Sequence, residues 1–284
     1  MRIGFIGAGK VGFSLGKFFA EGGITVTGYY SRHQESAQEA AEFTGTRCFN
    51  DISQLIEESD AIFLTVPDKE IVNVYEMIRS CHITDKQICH CSGAMTADEA
   101  FYDVAEHGAS GYSIHPLFPI SSKYDTYREL SDAFFCLEGD KSHIEEWRDL
   151  LLGLGVSVRS IEPENKVTYH AACAIASNLV CGLIQQSCHM LGRCGFAEEE
   201  ALKALSPLVR SNIEHILQDG ALMALTGPME RCDTLTVGKH MECMENAGEK
   251  ELYVAVSHKL LDMAQLKHPE TDFSGMKSIL ERME

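Results

Sequence analysis

The chain has 284 residues, a formal net charge of −18 at pH 7, and 45% hydrophobic against 23% charged residues. This composition is typical of a globular protein with two ordinary domains or one large one, and the excess of acid argues against nucleic-acid binding, which needs basic residues to neutralise phosphates. The longest apolar run, 171–184, is too short and too polar for a membrane span, so it predicts a buried core helix and no membrane association.

The sequence also bears on the cellular compartment and on metals. The strand pattern starts at residue 3, so we expect no signal peptide before it. The eleven cysteines contain no Cys-x-x-Cys pair, and their apolar surroundings are typical of reduced core residues. The densest group, Cys-His-Cys at 89–91, matches no zinc spacing. We therefore expect a cytoplasmic protein with no bound metal.

A strand, a glycine-rich turn and a helix open the chain. Residues 3–6 form a short apolar run, and the sequence Gly-Ala-Gly-Lys-Val-Gly follows directly at 7–12. Gly-x-Gly-x-x-Gly in this order is the fingerprint of a dinucleotide-binding unit, whose glycines permit a tight turn, close approach of a pyrophosphate, and close packing of the helix on the strand. The helix N-terminus adds free N–H groups for the pyrophosphate. The predicted cofactor contacts here are Gly7, Ala8, Gly9, Lys10, Val11 and Gly12.

The end of the second predicted strand bears on the choice of cofactor. That strand covers 24–28, and Ser31 and Arg32 follow where an NAD-binding fold carries an acidic residue for the ribose hydroxyls. A carboxylate would repel a 2′-phosphate, whereas serine and arginine can donate hydrogen bonds to it. The sequence therefore predicts NADP(H).

Strands and helices then alternate as far as residue 161. Further strands are predicted at 48–49, 61–66, 87–91, 111–115, 133–137 and 156–161, with a helix over 97–107 among the intervening segments. This alternation favours a doubly wound parallel sheet of the Rossmann type. Ligands bind such sheets at the carboxyl ends of the strands. We therefore expect Val66, Pro67, Asp68, Ser92 and Gly93 to contact the cofactor at its nicotinamide ribose, or else the substrate. His115 either contacts the substrate or satisfies a loop carbonyl.

From residue 163 onward the patterns are helical. The fold class is thus α/β, with a nucleotide-binding domain over 1–162 and an all-helical domain over 163–284, in segments that include 164–192 and 228–246. Lys166, His170 and Ser177 share one face of the first helix, with Asn178 at its edge. Burial of His170 and Asn178 in an apolar helix would require partners, so these residues are candidates for the substrate site. Lys166, in the first turn, is more easily explained as a solvated lysine.

An arginine provides one further candidate. Arg231 follows Gly-Pro at 227–228, where proline predicts the first turn of a helix. An arginine there could hold a substrate carboxylate in a bidentate manner, or form a surface pair with a neighbouring acidic residue.

Four sequence motifs resemble those of a known family. They are His-Cys-Ser-Gly-Ala at 90–94, Ser-Ile-His-Pro at 113–116, Tyr-His-Ala-Ala at 169–172 and Leu-Thr-Gly-Pro at 225–228. With the glycine turn they resemble the Rossmann-like family with a DUF2520-type C-terminal domain, within the superfamily of 6-phosphogluconate dehydrogenase and ketopantoate reductase. The resemblance implies an NADP-dependent oxidoreductase that acts on a small molecule, is similar to an alternative ketopantoate reductase, and forms a homodimer through its helical domain.

The resemblance leaves other functions open. A prephenate or arogenate dehydrogenase shares a His-Pro after a strand, and an imine reductase of the pyrroline-5-carboxylate type belongs to the same superfamily. A catalytically silent NADP(H)-binding regulator would lack a proton donor in its cleft. His170 argues against that alternative.

The resemblance also assigns catalytic residues in two ways. Relatives use a lysine with an asparagine four residues later, and ketopantoate reductases add a second asparagine. If Lys166 is the lysine, His170 replaces the first asparagine. If His170 takes its place, Ala174 replaces the first asparagine and Asn178 is the second. We favour the second register, with His170 as the general acid and Asn178 as a substrate contact.

Overall fold

The structure is a computed structural model that describes residues 1–281. It divides into two compact units, Met1–Ser177 and Asn178–Glu284. The first unit contains an eight-stranded sheet with the order β3-β2-β1-β4-β5-β6-β7-β8. Its strands are β1 (Arg2–Ile6), β2 (Thr25–Tyr30), β3 (Arg47–Cys48), β4 (Ala61–Leu64), β5 (Gln87–His90), β6 (Ser110–Leu117), β7 (Phe134–Gly139) and β8 (Ser157–Ser160).

Seven helices accompany this sheet. They are α1 (Lys10–Glu21), α2 (Gln34–Thr44), α3 (Ile52–Glu58), α4 (Asp68–Ile78), α5 (Ala97–Ala100), α6 (Ile144–Gly153) and α7 (Lys166–Ala176). The predicted helix over 97–107 is shorter than expected. Thr96 and Glu99 form a capping box at its start, but Phe101 leaves the helical conformation at φ −131° and ψ 50°. The chain then continues as a separate 3₁₀ turn, Val104–His107.

Both faces of the sheet are buried. On β4, Ala61 and Phe63 belong to one apolar cluster and Ile62 and Leu64 to another. Because successive strand residues point to opposite faces, this division shows that an apolar layer covers each side. Continuous apolar strands of this kind are characteristic of a parallel sheet with helices on both faces.

One strand pair departs from the predicted parallel arrangement. β6 and β7 pair antiparallel, whereas the other neighbours in the sheet are parallel. Parallel neighbours are usually joined by a crossover helix, but the segment between β6 and β7 contains only the 3₁₀ turns Thr126–Arg128 and Leu130–Asp132. β7, α6 and β8 then form the predicted strand–helix–strand piece.

The second unit is helical within its described residues. Its helices are α8 (Asn178–Arg193), α9 (Glu198–Asp219), α10 (Ala221–Ala224), α11 (Thr234–Glu242), α12 (Ala247–Lys267) and α13 (Ser274–Glu281). An apolar cluster that includes Val237, Leu261 and Met276 forms its core. The predicted helix over 228–246 starts later than expected, at Thr234, because the Asp233 side chain accepts from the Thr236 N–H and caps it there.

The predicted buried helix over 171–184 is wrong in two respects. Ser177 leaves the helical conformation (φ −125°, ψ −73°), so the segment is split into α7 and α8. Leu179 is 58% exposed, and α8 contains no buried residue. By length and composition, 163–193 is the one stretch among the described residues that could cross a membrane, which is weak evidence because core helices pass the same test. The apolar composition predicted that this helix is buried. Composition does not show which surface packs against a helix.

Candidate active site

The glycine turn between β1 and α1 lies against the end of β4. Gly7 has φ +106°, and a Cβ on it would lie 2.9 Å from the Thr65 carbonyl carbon and oxygen. A Cβ on Gly12 would lie 2.6 Å from the Gly7 oxygen and from the Thr65 hydroxyl. That hydroxyl donates to the Gly7 carbonyl at 2.8 Å. Gly7 and Gly12 are therefore needed by the fold of the turn itself.

Gly9 is in a different environment. It is the N-cap of α1, and a Cβ built there meets only the Thr65 oxygen, at 4.0 Å. The space in front of Gly9 is open, as required if a phosphate is to approach the backbone at a helix N-terminus.

The turn opens onto a cleft of about 390 Å³. Among the predicted cofactor residues, the cleft is lined by Gly7, Ala8, Gly9, Ser31, Arg32, Val66 and Pro67. Lys10, Val11 and Gly12 occupy the first turn of α1, directly after the lining residues. The cleft thus lies along the carboxyl ends of β1, β2 and β4, and its position fits a dinucleotide.

Arg32 is free to turn toward a ligand in this cleft. Its side chain is 70% exposed, and a guanidinium nitrogen lies 3.7 Å from a Glu70 carboxylate oxygen. Glu70 also lines the cleft. The arginine is therefore held only by a weak surface ion pair at the end of β2.

The turn that follows β5 is held by a buried serine. The Ser92 hydroxyl donates to Asp68 Oδ2 at 2.6 Å and accepts from the Met95 N–H at 3.1 Å. The Ser92 N–H donates to His90 Nδ1 at 3.1 Å, so this histidine carries its proton on Nε2. Burial lowers the pKa of His90 to about 3. His90 is therefore a neutral structural residue that orients the turn.

A cluster of proton-bearing side chains lies against Gly93. His115 Nδ1 lies 2.8 Å from the Tyr169 hydroxyl, and the rings of His115 and His170 are 6.4 Å apart. A Cβ on Gly93 would lie 2.5 Å from His170 Cδ2 and 2.9 Å from His115 Nε2. The structure thus brings three of the predicted residues, Gly93, His115 and His170, together with Tyr169.

The protonation states in this cluster follow from burial. Burial, the Lys166 ammonium and His170 lower the pKa of His115 to about 4. Burial and the neighbouring thiols of Cys136 and Cys173 raise the pKa of Tyr169 well above its usual value. At neutral pH the pair is therefore an uncharged imidazole hydrogen-bonded to an intact phenol.

His170 and Lys166 have environments opposite to those that the sequence predicts. The predicted burial of His170 is wrong, since its side chain is exposed. The predicted solvation of Lys166 is also wrong, since it is 0% exposed and its ammonium donates to the Ser113 hydroxyl at 2.5 Å. The first turn of α7 directs Lys166 toward the sheet, so the two side chains do not form one polar stripe.

The other predicted site residues are exposed. The Ser177 hydroxyl, at the end of the first unit, donates back to the Cys173 carbonyl at 2.8 Å. Asn178 and Arg231 belong to the second unit, where Arg231 lies in a turn and not in the first turn of a helix.

Sequence reasoning missed three residues, of which Tyr169 belongs to the cluster while Ser113 and Glu138 lie near Lys166. Tyr169 and Ser113 stand within the quoted motifs, but no local signal assigns a role to either. Glu138 carries a usable signal, a single carboxylate in the apolar strand β7, and it is 2% exposed.

Metal coordination is not favoured by the described residues. The eleven cysteines are free thiols. Across residues 1–281, no group of three or more His, Cys, Asp or Glu side chains is arranged to hold a metal ion.

The fold and the cleft fit a dinucleotide-binding protein, and two family models match parts of the chain. Residues 2–88 match a family described as NADP oxidoreductase, coenzyme F420-dependent, and residues 133–260 match DUF2520, a domain of unknown function. The N-terminal part of the chain is thus similar to NADP oxidoreductases, and most of the remainder is similar to proteins with a DUF2520 domain. No curated protein matches the chain.

Solved structures support the same fold over nearly the whole chain. The protein TM1727 from Thermotoga maritima is 26% identical with a TM-score of 0.74, over 94% of this chain and 99% of that one. BF3122 from Bacteroides fragilis, a candidate NADP oxidoreductase, is 17% identical with a TM-score of 0.70, over 92% and 98%. An imine reductase variant from Myxococcus stipitatus, in complex with NAD⁺, is 17% identical with a TM-score of 0.61, over 99% and 98%.

Proposed function

We propose that this protein uses NADPH to reduce a small 2-oxo acid, in the manner of a ketopantoate reductase that converts 2-dehydropantoate to pantoate. The observation that carries the proposal is the cluster of His115, Tyr169 and His170 against Gly93. It lies at the carboxyl ends of β5 and β6, the edge at which such sheets bind their ligands. The cleft at the ends of β1, β2 and β4 leaves room for the cofactor.

His170 is the proposed proton donor. NADPH, when bound, supplies a hydride to the carbonyl carbon. The carbonyl oxygen must then take up a proton, and donation by a positioned side chain accelerates such a step by about 10²- to 10⁴-fold. His170 is exposed, so its ring can be reprotonated from solvent. His115 packs edge-on beside the His170 ring, and the neutral His115–Tyr169 pair offers further hydrogen bonds to substrate.

Imine reduction is the second candidate, because an imine reductase shares the fold. A C=N bond also needs a proton donor close to the reacting atoms, which the same cluster would supply. The discriminating experiment follows NADPH oxidation at 340 nm with ketopantoate, other 2-oxo acids and cyclic imines, and follows NADP⁺ reduction with prephenate. Turnover of ketopantoate above the other substrates supports the proposal. Turnover of imines alone replaces it, and binding of NADPH without any turnover indicates a regulator.

Cofactor preference can be tested at Arg32. Arg32→Asp is expected to weaken NADPH binding far more than NADH binding, because a 2′-phosphate would lose a donor and meet a carboxylate. Glu70→Gln is the matched control, since it releases the arginine from its ion pair and should leave NADPH binding intact or tighter. Isothermal titration with both cofactors measures the effect. Equal weakening for the two cofactors would contradict a role in reading the phosphate.

A second copy of the chain is the proposed partner. Leu179 and Leu183 of α8 and Leu208 of α9 are exposed, so these helices present apolar surface that soluble proteins normally cover. We expect light scattering at micromolar concentration to report a dimer. Leu179→Lys should shift the mass toward the monomer, whereas Leu152→Lys on α6 should not. A monomeric mass for the unmodified protein would overturn this proposal.

A further inference from the structure

Lys166 is fully buried next to the proposed site, and the burial of its charge requires an explanation. Lys166 is 0% exposed, although a charged side chain is costly to bury unless it is paired. It is the first residue of α7, and its ammonium is directed at the Ser113 hydroxyl on β6, 53 positions earlier in the chain. This contact ties the helix that carries Tyr169 and His170 to the sheet.

Ser113 hydrogen-bonds both to Lys166 and to the turn after β5. Its hydroxyl accepts from Lys166 and donates to the Ser92 carbonyl at 3.1 Å. The Ser92 hydroxyl in turn donates to Asp68 at the end of β4. Hydrogen bonds therefore join α7, β6 and the turns after β5 and β4, and Gly93 is the residue that follows Ser92.

A buried carboxylate balances the lysine. Glu138 on β7 stands directly opposite Ser113 in the strand register and accepts from the Ala97 N–H at 2.9 Å. Burial lowers the pKa of Lys166, and Glu138 opposes that shift. The ammonium thus has a hydrogen-bond acceptor on one strand and a negative charge on the next.

We propose that Lys166 is a positioning residue, which locks α7 onto Ser113 and the turn at Ser92 so that His170 and Gly93 stay in contact, and that it does not itself donate the proton. This inference rests on the proposed function. A proton donor must reach the substrate. The Lys166 ammonium cannot do so, because it is buried and donates to the Ser113 hydroxyl. His170, by contrast, is exposed beside Gly93.

The lysine also acts on His115 through its charge. The titratable groups around this histidine include Lys166, Tyr169 and His170 from α7, together with His90 from β5 and Cys136, its register partner on β7. Removing the positive charge of Lys166 must raise the pKa of His115, because a nearby cation disfavours the protonated imidazole.

Kinetics separate positioning from proton donation. We expect Lys166→Met and Ser113→Ala each to lower kcat by roughly 10- to 100-fold, the range that a displaced group costs. The double variant should be no worse than either single one, because both remove the same contact. The alkaline limb of the kcat–pH profile, which reports the acid, should persist in each variant. Retention of kcat in Ser113→Ala with its loss in Lys166→Met would overturn the proposal, and so would loss of the alkaline limb in Lys166→Met alone.

A second measurement needs no substrate, so it remains informative if the proposed function fails. Titration of His115 by NMR in the free protein should show a higher pKa in Lys166→Met than in the unmodified chain. Lys86→Met is the matched control, since its ammonium bonds the Ser59 carbonyl instead, and it should leave His115 unchanged. If Lys166→Met does not fold, Ser113→Ala should still speed amide exchange at Gly93. An unchanged His115 pKa in a folded Lys166→Met, or unchanged exchange in Ser113→Ala, would contradict the proposal.

Discussion

Replacement of Gly9 by alanine is expected to weaken NADPH binding without lowering the melting temperature. In the free protein a Cβ at this position meets only the Thr65 oxygen at 4.0 Å, so the fold accepts it. The same methyl group would occupy the space through which a pyrophosphate reaches the α1 N-terminus. Overpacking of this kind costs about 1–3 kcal/mol, which corresponds to roughly 5- to 150-fold in Kd.

Two further glycine variants serve as controls for Gly9→Ala. Gly7→Ala should reduce both stability and binding, because Gly7 has φ +106° and its Cβ would strike the Thr65 backbone. Gly153→Ala, at the end of α6 with nothing within 4 Å of its Cβ, should affect neither. Calorimetry for Kd and thermal unfolding for stability provide the two readouts. Unaltered NADPH affinity in Gly9→Ala would show that the cofactor does not approach this turn.

His170→Ala is expected to lower kcat by two or more orders of magnitude while NADPH affinity stays the same. The expectation follows from the loss of a proton donor, which is worth about 10²- to 10⁴-fold, and from the position of His170 at Gly93, away from the residues that line the nucleotide cleft. Stopped-flow measurement of NADPH oxidation, together with calorimetric binding, checks both parts.

Three comparison variants show whether the loss of kcat belongs to His170 itself. His143→Ala removes a surface histidine that faces Glu146 and should leave kcat unchanged. Asn178→Ala should mainly raise KM, since the sequence assigns that residue to substrate binding, which is equal in the ground and transition states. If Lys166→Ala abolishes turnover and His170→Ala leaves it nearly intact, the lysine is the acid, and the roles proposed for Lys166 and His170 are both wrong.

The nucleotide-binding half could be predicted because its signals are local. A strand, a glycine turn and a helix follow one another within residues 2–21, and their hydrophobic periods and glycines are read directly from neighbouring positions. The absence of an acidic residue at positions 30–32, directly after the second predicted strand, is equally local. The same holds for the helical half, where a helical hydrophobic period from residue 163 onward predicts helices.

The environment of the polar residues on α7 could not be predicted in that way. Helical periodicity places Lys166 and His170 on one face, but it does not say what lies against each part of that face. Lys166 is buried where Ser113 on β6 accepts from its ammonium and the charge of Glu138 on β7 opposes the effect of burial, and His170 is exposed beside the turn around residue 93.

The sequence by itself determined the order of the elements, the cleft of the cofactor and the set of candidate polar residues, because these depend on spacing along a short stretch of chain. Only the tertiary structure decided that β7 runs antiparallel to β6, that the lysine is enclosed and the histidine accessible, and that Tyr169 pairs with His115. The physical reason is that burial and charge pairing are set by contacts between residues far apart in the chain, such as Lys166 with Ser113, 53 positions away, and no local pattern encodes such a contact.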